Sequence, residues 1–216
     1  MSRTARLLPR IGATACLIVG GLGLPDQAGA SLIPNYDFEV DNGETSPSPT
    51  QWFAGGNVAY ELADDSDGVG ERSAQINANA SDWRSSAVFV TPGETMKWKL
   101  DYKWLDGASG EFSADLRFFS GFDPIGGGTS GAFRGEQRIV VASSSNGQWQ
   151  TLNVNSIEVP AGALTADIRI SSGFFDAGLS GDGFRIDNVD LRVPEPGSVA
   201  IAAVGVALIG AHRRRL

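Results

Sequence analysis

Cysteine and histidine are almost absent from this chain. Cys16 is the single cysteine and His212 the single histidine among 216 residues. One cysteine makes no intrachain disulfide, so the fold has to be held by a buried core. His212 stands close to the C-terminal end, so no histidine elsewhere can serve as base, metal ligand or triad member. Serines are plentiful but lack a partner base, and Gly128-Thr129-Ser130-Gly131 is not a nucleophile elbow. Gly126-Gly127-Gly128 has the glycine of a phosphate loop without its lysine or a following helix. None of the 25 acidic residues is singled out as one of a pair with contrasting environments, which a glycosidase needs. No catalytic residue is expected and the protein reads as non-enzymatic, with a polysaccharide hydrolase or lyase as a distant alternative.

Long apolar runs are lacking too, except near the two ends. Arg3, Arg6 and Arg10 precede an apolar stretch over 11–24, and Ala28-Gly29-Ala30 offers small residues for cleavage. This predicts a signal peptide over 1–30 that takes Cys16 with it, leaving Ser31 first. At the other end, Pro194 and Pro196 hold an extended segment with Glu195 between them. An uncharged stretch over 198–211 follows, and then His212-Arg213-Arg214-Arg215-Leu216. The stretch is shorter than the ~20 residues that span a bilayer comfortably, and the arginines would hold its end in the cytoplasm.

Proline motif, apolar span and basic end, in that order, resemble the PEP-CTERM sorting signal of Gram-negative bacteria. The resemblance covers residues 194–216, with Pro194, Glu195 and Pro196 as the motif. It implies an exosortase-like sorting enzyme as partner and anchoring in the inner membrane before processing. It also implies a final place at the cell surface or in an extracellular matrix, in association with exopolysaccharide.

The exported part is then residues 31–193. Setting aside Arg3, Arg6, Arg10 and Arg213 to Arg215 leaves 11 of the 17 basic residues, and setting aside Asp26 and Glu195 leaves 23 of the 25 acidic ones. A balance near −12 repels nucleic acid and anionic lipid and attracts calcium.

Period-two alternation is the main signal within 31–193. Met96, Trp98, Leu100, Tyr102 and Trp104 share one face of a strand over 94–104, while Lys97, Lys99, Asp101 and Lys103 share the other. Phe112, Ala114, Leu116 and Phe118 repeat the pattern, with Asp115 and Arg117 expected outward and opposite the first strand's charges. Further strands are expected over 31–39, 57–62, 73–77, 83–91, 137–142, 149–159, 164–171 and 183–192. An acidic loop should cover 63–70 and a glycine-rich loop 121–135. About ten short strands with glycine or proline turns and no helical period predict an all-β sandwich.

Asn35-Tyr36-Asp37-Phe38-Glu39, Trp149, Val159-Pro160-Ala161-Gly162-Ala163 and Ile186-Asp187-Asn188-Val189-Asp190-Leu191 resemble the scattered signature of jelly-roll, carbohydrate-binding-module-like domains. The resemblance implies a structural calcium held by Glu39 and Asp187, with the acidic loop nearby, as hard oxygen donors would allow. It also implies sugar recognition by exposed rings. Trp98, Tyr102, Phe112 and Phe118 fall on apolar faces and read as core. Trp83, Phe122, Phe133 and Phe174 fall off those faces and are the candidate ligand-binding residues, with Phe119 and Phe175 beside them. The main expectation is a surface or matrix protein associated with exopolysaccharide; the alternative is a carbohydrate-binding module with a defined glycan.

Overall fold

The computed structural model describes residues 31–41, 49–62, 64, 66–68, 72–143 and 147–194. The expected signal peptide, Glu195, Pro196 and the rest of the tail lie outside them, so of the sorting motif only Pro194 is described. Twelve strands and no helix make up the described secondary structure: β1 (Trp52–Gly55), β2 (Val58–Leu62), β3 (Arg72–Ile76), β4 (Ser81–Ser85), β5 (Val88–Phe89), β6 (Thr95–Trp104), β7 (Ser109–Phe122), β8 (Thr129–Ala142), β9 (Gln150–Glu158), β10 (Thr165–Ser172), β11 (Leu179–Ser180) and β12 (Phe184–Arg192). They form two antiparallel sheets packed as a jelly-roll sandwich. One runs β1-β4-β10-β7, with β8 and β11 pairing β7 and β5 pairing β10; the other runs β2-β3-β12-β6-β9.

Alternation explains why the sheets stack. β6 buries Met96, Trp98, Leu100 and Trp104, and β7 buries Phe112, Ala114, Leu116 and Phe118 from the opposite sheet. Phe112 lies flat on Phe184 of β12 with centroids 4.1 Å apart, and its ring is 5.7 Å from Trp104. Each such ring removes on the order of 150–250 Å² from water, so a few of them carry much of the inter-sheet attraction. The N-terminal segment closes one side of this core. Leu32 N donates to Leu191 O at 2.7 Å, Val189 N to Tyr36 O at 2.8 Å, and Phe38 packs on Trp52 at 4.6 Å.

Several sequence expectations are corrected here. Residues 31–39 form turns, not a strand, because Asn35 and Phe38 take positive φ (50° and 59°) and the segment docks through side chains. The expected strand over 83–91 is two, β4 and β5, both paired to β10. Much of the glycine-rich loop over 121–135 is ladder: β7 and β8 pair from Phe122–Thr129 onward, leaving 123–128 as the turn. One of the two register shifts in that hairpin, between Phe119 and Gly121, falls where Gly131 takes φ 76°, a conformation that costs glycine little, so pairing overrides its weak strand preference. Finally, β6 and β7 belong to different sheets, so the charges on them do not meet. The outward residue Asp115 is fully buried, against an arginine of β8.

Candidate ligand-binding face

Opposite residues of an antiparallel pair project to the same side, so the register lays out the outer face of the β1-β4-β10-β7-β8 sheet in rows. One row reads Phe53, Arg84, Arg169, Asp115, Arg138. Two residues along lies Asp167, Arg117, Glu136; two further lies Phe89, Thr165, Phe119, Phe133. The first and last of these rows are about 13 Å apart at the usual rise per residue.

The middle of the face is a floor of ion pairs. Arg117 grips Asp167 with both ends of its fork, Nε to Oδ1 at 2.8 Å and Nη2 to Oδ2 at 2.7 Å. Thr129 Oγ1 also donates to Asp167 Oδ2, at 3.1 Å. Arg138 donates from Nε to Asp115 Oδ1 at 2.9 Å and reaches Glu136 at 2.7 Å. Arg169 and Arg84 both pair with Asp82, at 2.9 and 3.2 Å. Arg84, Arg117, Arg138 and Arg169 thus balance Asp82, Asp115, Asp167 and Glu136. Burial pushes the Asp115 carboxyl up, while the Arg138 hydrogen bond and charge pull it back down.

Phenylalanines border this floor. At one end Phe89 meets Phe122 at 5.2 Å and Phe133 meets Phe119 edge-on at 5.7 Å. At the other, the turn after β10 lays Phe175 over the Arg138 guanidinium (3.7 Å to the ring centroid) and Phe174 over Arg169 (4.3 Å). That turn is built to hold. Asp176 Oδ1 accepts from Gly173 N and Gly178 N, at 2.9 and 2.8 Å. Gly173 and Gly178 take φ of 73° and 80° against Asn79, and a Cβ on Gly173 would sit 2.7 Å from the Asn79 Cβ. Six rings here are exposed large hydrophobics: Phe53, Phe89, Phe122, Phe133, Phe174 and Phe175, with Phe89 71 % exposed and Phe133 55 %. So many exposed phenylalanines gathered on one face is the feature expected of a binding surface.

Of the candidate rings, then, Phe122, Phe133 and Phe174 lie on one face. Trp83 does not and is corrected to core: it is 2 % exposed, sits mid-strand in β4, and donates from Nε1 to Gln75 O of the other sheet at 3.1 Å. The arginines and aspartates of the floor had no sequence signal beyond alternation, since their pairing depends on which strands become neighbours.

Glu39 and Asp187 stand at the same end of the β3–β12 pair. Glu39 Oε1 accepts from Arg72 N at 3.1 Å. Asp187 Oδ2 accepts from Ser66 N at 2.8 Å and its Oδ1 from Asn188 N at 2.7 Å. Opposite Asp187 in the register, Asp101 accepts from Ser66 Oγ and Thr151 Oγ1. Asp187 is 2 % exposed, and loss of hydration pushes its carboxyl up to about 7. Donors from N–H and O–H groups suit a hydrogen-bonded carboxyl, and among the described residues no three acidic, histidine or cysteine side chains are grouped to hold a metal. As placed, these residues do not fit calcium.

No family model and no curated protein matches the sequence. Solved structures share the fold. The enzymatically active domain of tailspike protein 4 of bacteriophage CBA120 aligns with TM-score 0.52 and 16% identity, over 74% of this chain but only 21% of that one. A cyclase from Fischerella sp. TAU aligns with TM-score 0.50 and 13% identity, over 76% of this chain and 97% of that one. TmCBM61, solved with β-1,4-galactotriose, aligns with TM-score 0.47 and 15% identity, over 76% and 99%. At these identities the likeness is one of fold: carbohydrate-binding modules are among the structures this chain is similar to.

Proposed function

We propose that this is a non-enzymatic glycan-binding jelly roll whose outer β1-β4-β10-β7-β8 face takes a neutral oligosaccharide. One observation carries the reading: exposed phenylalanines border a floor of ion pairs whose charges cancel. Rings stack on the apolar faces of pyranoses, and the paired arginines and aspartates offer donors and acceptors to hydroxyls. A floor whose charges are mutually satisfied has none left over for a charged sugar. The terminal segments add the setting: an exported chain, processed by an exosortase-like enzyme and retained at the cell surface or in an exopolysaccharide matrix. That setting rests on residues 1–30 and 194–216.

Calorimetric titration of the full-length protein with neutral oligosaccharides tests the binding. Saturable binding that falls about tenfold or more in Phe174→Ala or Phe133→Ala, with melting temperature preserved, supports it; a ring worth about 1.4 kcal/mol changes affinity tenfold. Folded protein that binds no neutral glycan, or binds one equally well without these rings, overturns it.

A further inference from the structure

Two residues of β10 point outward and are nevertheless buried. Ala166 and Ile168 pack in the core, which turns Thr165 and Asp167 to the outer face, yet these are only 0 % and 4 % exposed. The tip of the β7–β8 hairpin covers them. Thr165 has Phe119 of β7 on one side and Phe89 of β5 on the other, so a hairpin that grows from β7 and touches β5 has to cross β10. The crossing is marked by Thr165 Oγ1, which donates to Gly121 O at 2.6 Å, and by Thr129 Oγ1, which donates to Asp167 Oδ2 at 3.1 Å. On the far side Gly127 O accepts from Ala87 N at 3.0 Å, just before β5, and Phe122 meets Phe89 at 5.2 Å. The bend that lays the tip down falls at the register shifts between Phe118 and Gly121, since bulges bend the strands that carry them.

The tip is a unit in itself and is lightly held. Asp123 N donates to Gly128 O and Gly127 N to Asp123 O, both at 2.9 Å, and Ile125 N donates to Asp123 Oδ1 at 3.0 Å, so the turn is closed by its own bonds. Its hold on the sheet is the set of hydrogen bonds just given and the Phe89–Phe122 contact. Both rings of that contact are exposed, at 71 % and 36 %, and Ile125 at the apex is 97 % exposed and buries nothing. Few buried apolar contacts and hydrogen bonds near water are the marks of a segment that opens well below the cost of global unfolding. Beneath it lies Asp167, which Arg117 grips at the middle of the ion-pair floor.

We infer that this hairpin tip is a strap over the phenylalanine face, and that a glycan reaches the Arg117–Asp167 pair only once the strap has lifted from Ala87 and Asp167. The inference rests on the neutral-glycan reading of that face. A closed strap occupies the space above Asp167, so apparent affinity is reduced by the fraction of molecules in which it is open. Holding it shut abolishes binding.

Amide hydrogen exchange on the full-length protein tests the motion without any ligand. The Ala87 amide should exchange by a local opening that low denaturant does not change, while the β10 amides exchange only with global unfolding. Thr129→Val removes the hydroxyl that donates to Asp167 and should speed Ala87 exchange about tenfold at an unchanged melting temperature. Exchange of Ala87 only with global unfolding overturns the strap. For binding, a disulfide between Ala87→Cys and Gly128→Cys, in a Cys16→Ser background, holds the tip down. Gly128 has open space where a Cβ would stand and no positive φ. Calorimetric titration uses cellotetraose, xylotetraose and β-1,4-galactotetraose as probes. The oxidised protein should bind at least tenfold more weakly than the reduced one, with affinity restored by reductant. Equal binding in the two states overturns the strap and leaves the glycan reading standing. Absence of tetraose binding in both states, with Ala87 still opening locally, overturns the glycan reading and leaves the strap's motion standing.

Discussion

Arg138 carries the Phe175 ring on its guanidinium at 3.7 Å while the same group donates to the buried carboxylate of Asp115 at 2.9 Å. One side chain thus joins the exposed aromatic rim to the interior of the sheet. Ring position and ion-pair geometry are therefore coupled, and a change at either should be felt at the other.

For binding, this coupling means that Arg138 and Phe175 act as one unit. Phe175→Ala and Arg138→Met should lower neutral-glycan affinity by similar factors, of about tenfold. The double variant should lose little more than either alone, because contacting residues are not additive. Titration of the three variants measures it, and full additivity would show the two to act separately.

For stability, Arg138→Ala leaves the Asp115 carboxylate, fully buried and with Oδ2 already unpaired, without its cation. Removing one partner of a buried pair costs about 3–5 kcal/mol at most, here reduced because Arg138 is partly exposed and Asp115 can take up a proton. Denaturant unfolding should show a loss of roughly 2–3 kcal/mol. In an Asp115→Asn background the same change should cost less than half as much, since no charge is then stranded.

Asp187 predicts the pH dependence. Its folded-state pKa, raised to about 7 by burial, lies above the unfolded value near 3.9, so the folded protein holds that proton more tightly. The resulting contribution is fully present below about pH 4 and is lost progressively as pH rises toward 7. Asp187→Asn, a permanent mimic of the protonated form, should flatten this part of the profile of melting temperature against pH. An unchanged slope between pH 4 and 7 would assign it to other groups.

At the C-terminal end, replacing Pro194, Glu195 and Pro196 together should leave the full-length protein in the inner membrane of a host that carries the sorting enzyme. Fractionation and immunoblotting report it. Equal release of variant and wild type would remove the sorting role from this motif.

Alternation by itself determined much of this protein. Residues 96, 98, 100 and 104, and then 112, 114, 116 and 118, had to be buried on one side of extended strands, because period two leaves no other way to hide those side chains. The absence of cysteine and histidine from residues 31–193 was also enough to leave the fold to its core and to exclude an imidazole or thiol from its chemistry. What alternation does not encode is which strand lies beside which. Asp115 looked like a solvent residue facing the charges of the 94–104 strand, and only the placement of β7 between β10 and β8 made it the buried partner of Arg138. Trp83 looked exposed for the same reason, until the second sheet brought Gln75 O to its indole. The phenylalanines at 89, 119, 122, 133, 174 and 175 are spread over 87 positions and share no local pattern. They became one surface through antiparallel register and a pinned turn, long-range constraints that no short stretch of sequence contains.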